Sequence, residues 1–282
     1  MIRHLAAFCG LSACLLASGV SDAARLISEK RVPEARLILE PYVAAHPNDV
    51  GAILQLGLCE ERMQDYSAAV FTLAKAAVLA PARADVQLAY GETCLQAARA
   101  EHSLALIHKG TQALQQAVRL SPKLIRPHEV LLMYYSSAPW FVGGSMSKAQ
   151  NEADAIGKLD PDRGLAAHVI LLRKQGENEK AFALCRSELA KRPSSYTALY
   201  EMGRIAALSG RHLKEGEDAL ATCLRIAPSQ KNADIAGIHL YRGLIFKEEG
   251  RRTEARASLK RGLEIDPNDE RLTSAISSLG PN

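Results

Sequence analysis

Seven of the prolines in this 282-residue chain divide it into segments of similar length: Pro47, Pro81, Pro122, Pro161, Pro193, Pro228 and Pro267 follow one another at intervals of 34, 41, 39, 32, 35 and 39. Proline disfavours helix in the residue before it, so each marks the end of a helical run. Between the prolines, apolar residues recur at helical spacing. Ile53, Leu56 and Gly57 lie at i, i+3, i+4, and Ala69, Leu73 and Ala76 at i, i+4, i+7. A recurring unit of this length cannot bury its own apolar face and must stack on its neighbours. Composition agrees. Aromatics are 5% with a single tryptophan, which suits helices packed on Ala and Leu better than a β-sandwich or barrel. An apolar share of 48% excludes disorder, and a net charge of +4 without a block of one sign gives nucleic-acid binding no support.

Glycines repeat in register with the prolines. Gly57, Gly91, Gly203 and Gly243 fall near the middle of the first helix of their units. Glycine inside a helix costs about 1 kcal/mol relative to alanine, and close approach of two helix backbones is the reason expected for it. A turn glycine recurs at Gly176, Gly210 and Gly250, followed by Ala181, Gly216 and Ala255.

This pattern resembles the tetratricopeptide repeat family, a 34-residue helix–turn–helix unit reading W-x2-L-G-x2-Y, then A-x3-F, then P. Leu56-Gly57, Tyr90-Gly91 and Met202-Gly203 stand at the Leu-Gly positions, and Ala69 with Leu73 and Ala255 with Leu259 at the Ala and Phe positions. Pro81 and Pro267 close their units, while Ile53 and Leu199 replace the initial tryptophan. The resemblance covers residues 24–280. It implies an all-α fold, a right-handed α-solenoid of about seven units ending in a capping helix. That cap is expected at 269–279, with Leu272, Ile276 and Leu279 covering the exposed end. Pro33 is expected to start a second helix, the helices around Ala97 to Ala105 to be long, and 228–232 to form a long approach loop. First helices then line the concave side.

The start of the chain reads differently. After Met-Ile-Arg-His, residues Leu5 to Val20 carry no charge, as in a secretory signal peptide. The stretch is short and weak for a membrane span. Cleavage is expected after Gly19 or after Ala23, the second preferred, giving a signal peptide at 1–23 and a repeat domain at 24–282. Leu11-Ser12-Ala13-Cys14 also resembles a bacterial lipobox, with Cys14 the lipidated residue, although hydrophobicity continues through Leu15-Leu16-Ala17. The remaining Cys59, Cys94, Cys185 and Cys223 show no metal-ligand spacing and are expected as buried, reduced thiols. No HExxH, GxSxG or P-loop spacing occurs, and Ser145 after Gly143-Gly144 lacks a nucleophile elbow. No catalytic residue, cofactor or metal is expected.

Binding residues are sought on the concave side, beside each packing stripe. These are Leu54, Leu58 and Arg62; Leu88, Glu92 and Gln96; Arg126, Glu129 and Met133; Tyr200 and Arg204; and Leu240 and Lys247. Their mixed character suits a peptide or helix lying in a groove. The two-lysine carboxylate clamp of some family members is absent, with Arg62, Arg126 and Arg204 as partial substitutes. The turn in the fourth unit is lengthened by 136–145, which carries Trp140 beside Phe141. Either these rings tuck back and pin the loop, the first expectation, or they anchor a partner. The basic residues Arg251, Arg252, Arg256, Lys260 and Arg261 are interleaved with glutamates and read as a solvated face. The function expected is a non-enzymatic scaffold or adaptor for a protein or peptide, exported to the bacterial periplasm. The alternative is a lipoprotein tethered through Cys14 to the outer membrane that assembles an envelope or pilus complex.

Overall fold

The computed structural model of the chain describes residues 20–227 and 234–280. The signal-peptide residues before Val20, the lipobox reading at Cys14, and the loop expected at 228–232 lie outside them. The described residues are α-helical and contain no strand. Their contacts divide the chain into two compact units at Ser145/Met146. The first holds α1 (20–28), α2 (Val32–Ala45), α3 (Val50–Arg62), α4 (Tyr66–Leu79), α5 (Ala84–Glu101), α6 (Leu104–Leu120) and α7 (Ile125–Ser137), then a 3-10 turn at Trp140–Val142. The second holds α8 (Met146–Leu159), α9 (Pro161–Lys174), α10 (Asn178–Lys191), α11 (Tyr196–Ser209), α12 (Leu213–Ile226), α13 (Ile235–Glu248), α14 (Arg252–Ile265) and α15 (Glu270–Ser277). As expected, Pro33 lies in the first turn of α2, and α5 and α6 are the longest helices, at 18 and 17 residues.

Most of the proline ruler is a row of β-turns. The amide two residues after Pro47, Pro81, Pro122, Pro193 and Pro267 donates back to the carbonyl of the residue before that proline, at 3.0–3.3 Å. Proline at the second position of such a turn has its φ preset and no N–H to lose. At three of these turns the side chain of the last turn residue then caps the next helix. Asp49, Ser195 and Asp269 accept from Ala52 N (3.1 Å), Ala198 N (3.3 Å) and Arg271 N (2.8 Å). Such caps contribute about 1 kcal/mol each. Pro161 differs, standing in the first turn of α9 behind the cap Asp160.

In four helix pairs, α3–α4, α5–α6, α11–α12 and α13–α14, a glycine of the first helix receives the second. A Cβ built on Gly57 would meet Leu73 at 2.5 Å, on Gly203 would meet Leu220 at 2.1 Å, and on Gly243 would meet Leu259 at 2.6 Å. All three leucines are fully buried. Direct backbone contact, the reason read from sequence, holds at Gly91, whose Cβ would lie 2.9 Å from the Gly110 carbonyl, and between Gly157 and Gly164. A Cβ on Gly91 would also meet a buried leucine, Leu114, at 2.7 Å, so the leucine contact is common to all four.

Turns inside the pairs explain the second glycine series. Gly176, Gly210 and Gly250 have φ of 77°, 67° and 76°, the left-handed region. Lys30 and Gln64 hold the same conformation, at 62° and 63°, without being glycine. The capping helix α15 forms as expected, with Leu272 and Leu279 buried and Ile276 packed against the core of the second unit. At the other end Ala23 and Leu26 of α1 are buried with Leu39 and Leu56. The four cysteines are buried and free. Burial pushes Cys94 up to about 11 and Cys185 and Cys223 to about 12, so none is primed as a thiolate.

Two substitutions separate shape from propensity. Gly91→Ala should destabilise by about 1–3 kcal/mol through overpacking, against its gain in helix propensity. Gln64→Gly should stabilise by about 1 kcal/mol, by relieving a left-handed residue. Urea unfolding measures both, and opposite signs would contradict this packing scheme.

Candidate functional site

A cavity of about 570 Å³ opens in the first unit between α5 and α7. Five of the expected groove residues line it: Glu92 and Gln96 from α5, and Arg126, Glu129 and Met133 from α7. Sequence reasoning missed Leu95, Arg99, Ile107, Val130 and Tyr134, which complete its walls with Ala98, Ser137 and Ala138. Leu95 and Arg99 lie one helical turn beyond already chosen positions on α5, so the i+3 pattern held the signal. Leu95, Ile107, Val130 and Met133 give it apolar wall. The wall also carries an ion pair in which Arg126 Nε donates to Glu92 Oε1 at 2.6 Å, while Gln96 Nε2 donates to Glu61 Oε1 at 2.6 Å.

Burial pushes the Glu92 carboxyl above the usual carboxylate range, and the Arg126 guanidinium pulls against that shift. For a raised carboxylate the folded state keeps its proton to higher pH than the unfolded state does. Stability is therefore greatest below the unfolded value and falls as pH rises through the folded one. Glu92→Gln should remove this component. Unfolding measured from pH 4 to 7 should show the wild type losing stability relative to Glu92→Gln as pH rises, and parallel curves would contradict the assignment.

Beyond Ala138 the chain enters the lengthened turn. Trp140 is 84% exposed and Phe141 71% exposed, correcting the expectation that they tuck back. Other groups hold the loop. Tyr134 OH donates to the Val142 carbonyl, Gly144 N donates to Pro139 O at 3.0 Å, and Ser145 N donates to Tyr135 O at 2.9 Å. A Cβ on Gly144 would sit 1.7 Å from the Ala138 carbonyl, so that glycine is required by close approach. The two rings meet edge to face at 5.9 Å and line no wall of the cavity.

The other expected groove residues are dispersed. Leu54, Leu58 and Leu88 are half-buried, Leu54 packs on the Ile53 core, and Arg62 is exposed; none lines the cavity. In the second unit Leu240 is buried at 4% exposure, contradicting its assignment to the groove. Helix α13 packs against α11, α12, α14 and α15, leaving that position no free side. Tyr200 donates to Asp234 Oδ2 at 2.7 Å, and Lys247 donates to Ser278 Oγ at 2.9 Å. Arg204 pairs with Glu201, whose carboxyl is buried and pushed up by that burial. With Arg126 and Arg204 each held by a carboxylate, the substitute clamp is not formed. Among the described residues no group of His, Cys, Asp and Glu is placed to hold a metal ion, and no helix is long and apolar enough to cross a membrane.

A tetratricopeptide-repeat family model matches residues 237–269, the α13–α14 pair. The chain has the tetratricopeptide-repeat fold. A tetratricopeptide repeat protein from Parabacteroides merdae superposes with a TM-score of 0.64 at 12% identity, covering 94% of this chain and 99% of the other. The C-terminal part of a repeat protein from Cytophaga hutchinsonii gives 0.52 at 14% identity, covering 91% and 99%. PilW, described as a type IV pilus biogenesis factor, gives 0.52 at 18% identity, covering 80% and 98%. These likenesses are of fold. No curated protein matches in sequence.

Proposed function

We propose that this tetratricopeptide-repeat protein is a non-enzymatic scaffold or adaptor. It holds a protein or peptide partner in the cavity between α5 and α7, with Trp140 and Phe141 as the adjoining anchor. The observation that carries the reading is convergence. Five residues chosen for groove binding line one cavity, and a stiff loop holds two aromatic rings in solvent next to its wall. Buried Trp contacts often dominate interfaces, and mixed apolar and charged walls suit a peptide. The tetratricopeptide-repeat fold of the chain is compatible with such a role.

Export to the bacterial periplasm is the location that the uncharged stretch from Leu5 supports. Cleavage after Gly19 fits the fold better than cleavage after Ala23, because Ala23 is fully buried in the first helix pair. A second reading, a lipoprotein tethered at Cys14 that assembles an envelope or pilus complex, draws support from the likeness to PilW. Release of a Cys14→Ser variant from membranes would favour it.

Photo-crosslinkers at positions 133 and 140 should capture the same protein in intact cells, and one at Lys75 on the outside of α4 should not. Trp140→Ala should lose that partner while its stability stays within about 0.5 kcal/mol of wild type, as for other exposed positions. Equal capture from Lys75, or a large loss of stability in Trp140→Ala, would overturn the reading.

A further inference from the structure

We infer that the α5–α7 cavity is closed, in the absence of another partner, by a second copy of this chain. Each copy seats its Trp140–Phe141 pair in the other's cavity. The inference rests on the reading of this cavity as a docking site and names an occupant for it.

The chain carries both halves of such a joint on one surface. Ser137 and Ala138 line the cavity, and the exposed pair begins two residues later. A two-fold axis between loop and cavity then places each pair opposite its partner's opening, as in an isologous dimer. The halves match in kind. Leu95, Ile107, Val130 and Met133 form apolar wall, and 570 Å³ falls among pockets that enclose a small ligand, the size class of an indole with a phenyl ring. The loop is held by backbone bonds and by Tyr134, so little freedom is lost when its rings dock.

Charge favours a copy of the same chain over a partner of one sign. The lining's charges are compensated within the chain, Arg126 pairing with Glu92 at 2.6 Å and approaching Glu129 at 4.0 Å, so the wall presents no single sign to an incoming loop. Residues 136–145 carry no charge to repel either wall. Area suffices as well. Four aromatic rings bury about 800 Å², and with the walls they cover the total reaches about 1,600 Å², the usual size of a specific interface.

Trp140 is the sole tryptophan, so its fluorescence reports this joint directly. Between about 0.1 and 100 µM protein the emission should move to the blue while sedimentation shows monomer becoming dimer. Trp140→Ala and Met133→Glu should each weaken association at least about thirtyfold. Mixing the two variants should restore part of the association, because the anchor of the Met133→Glu chain meets an intact cavity on the other and one of the two joints reforms. Should Met133→Glu fail to fold, Trp140→Ala at its exposed site still decides by sedimentation. A monomer with solvent-exposed emission at every concentration would overturn the inference, as would a dimer that survives Trp140→Ala. A wild-type monomer whose cavity crosslinks still catch a protein removes this inference and leaves the docking reading standing.

Discussion

The fold depends on a missing side chain. At Gly57, Gly203 and Gly243 the absence of a Cβ opens a gap that a fully buried leucine of the following helix fills, and at Gly91 two backbones touch outright. Each glycine weakens its own helix by about 1 kcal/mol, whereas burying a leucine contributes about 1.5–3 kcal/mol. The pairing therefore wins over local propensity. It also fixes which side of each first helix is used, and so which side is left to face a ligand. The cavity between α5 and α7 lies on such a remaining side.

Local chemistry and packing agree at the pair ends. At Pro47, Pro193 and Pro267 a proline-led turn stops one helix and delivers an Asp or Ser to cap the next, so the same few residues end, reverse and restart the chain. Agreement between levels of this kind is what makes a repeat readable from one sequence. Where it is weaker, as at Lys30 and Gln64, the backbone bends the same way because the packed helices on both sides require it.

Legibility followed from that agreement. The helix pairs, the cap at α15 and the buried thiols could be read because each rests on a pattern inside one or two units. The offset of Glu92, Gln96, Arg126, Glu129 and Met133 from the packing stripe was enough to group residues that the structure places around one cavity. Leu240 was not, since α13 is apolar around most of its circumference and offers no stripe to measure from. Trp140 and Phe141 were misread for another reason. Burying large aromatics is the ordinary expectation, and only the structure shows Tyr134 and Gly144 already holding the loop. Leu95 and Arg99 lay within reach of the same pattern, three residues beyond Glu92 and Gln96 on a helix whose length was expected.

Residue-resolved amide hydrogen exchange tests the central claim most directly, because interlocked helices must open together. Amides of α5 and α6 should share one opening free energy, as should those of α11 with α12 and of α13 with α14, all well above that of α1. If the two helices of such a pair exchanged independently, with the glycine-bearing helix opening alone, the interlock would not be what holds the structure.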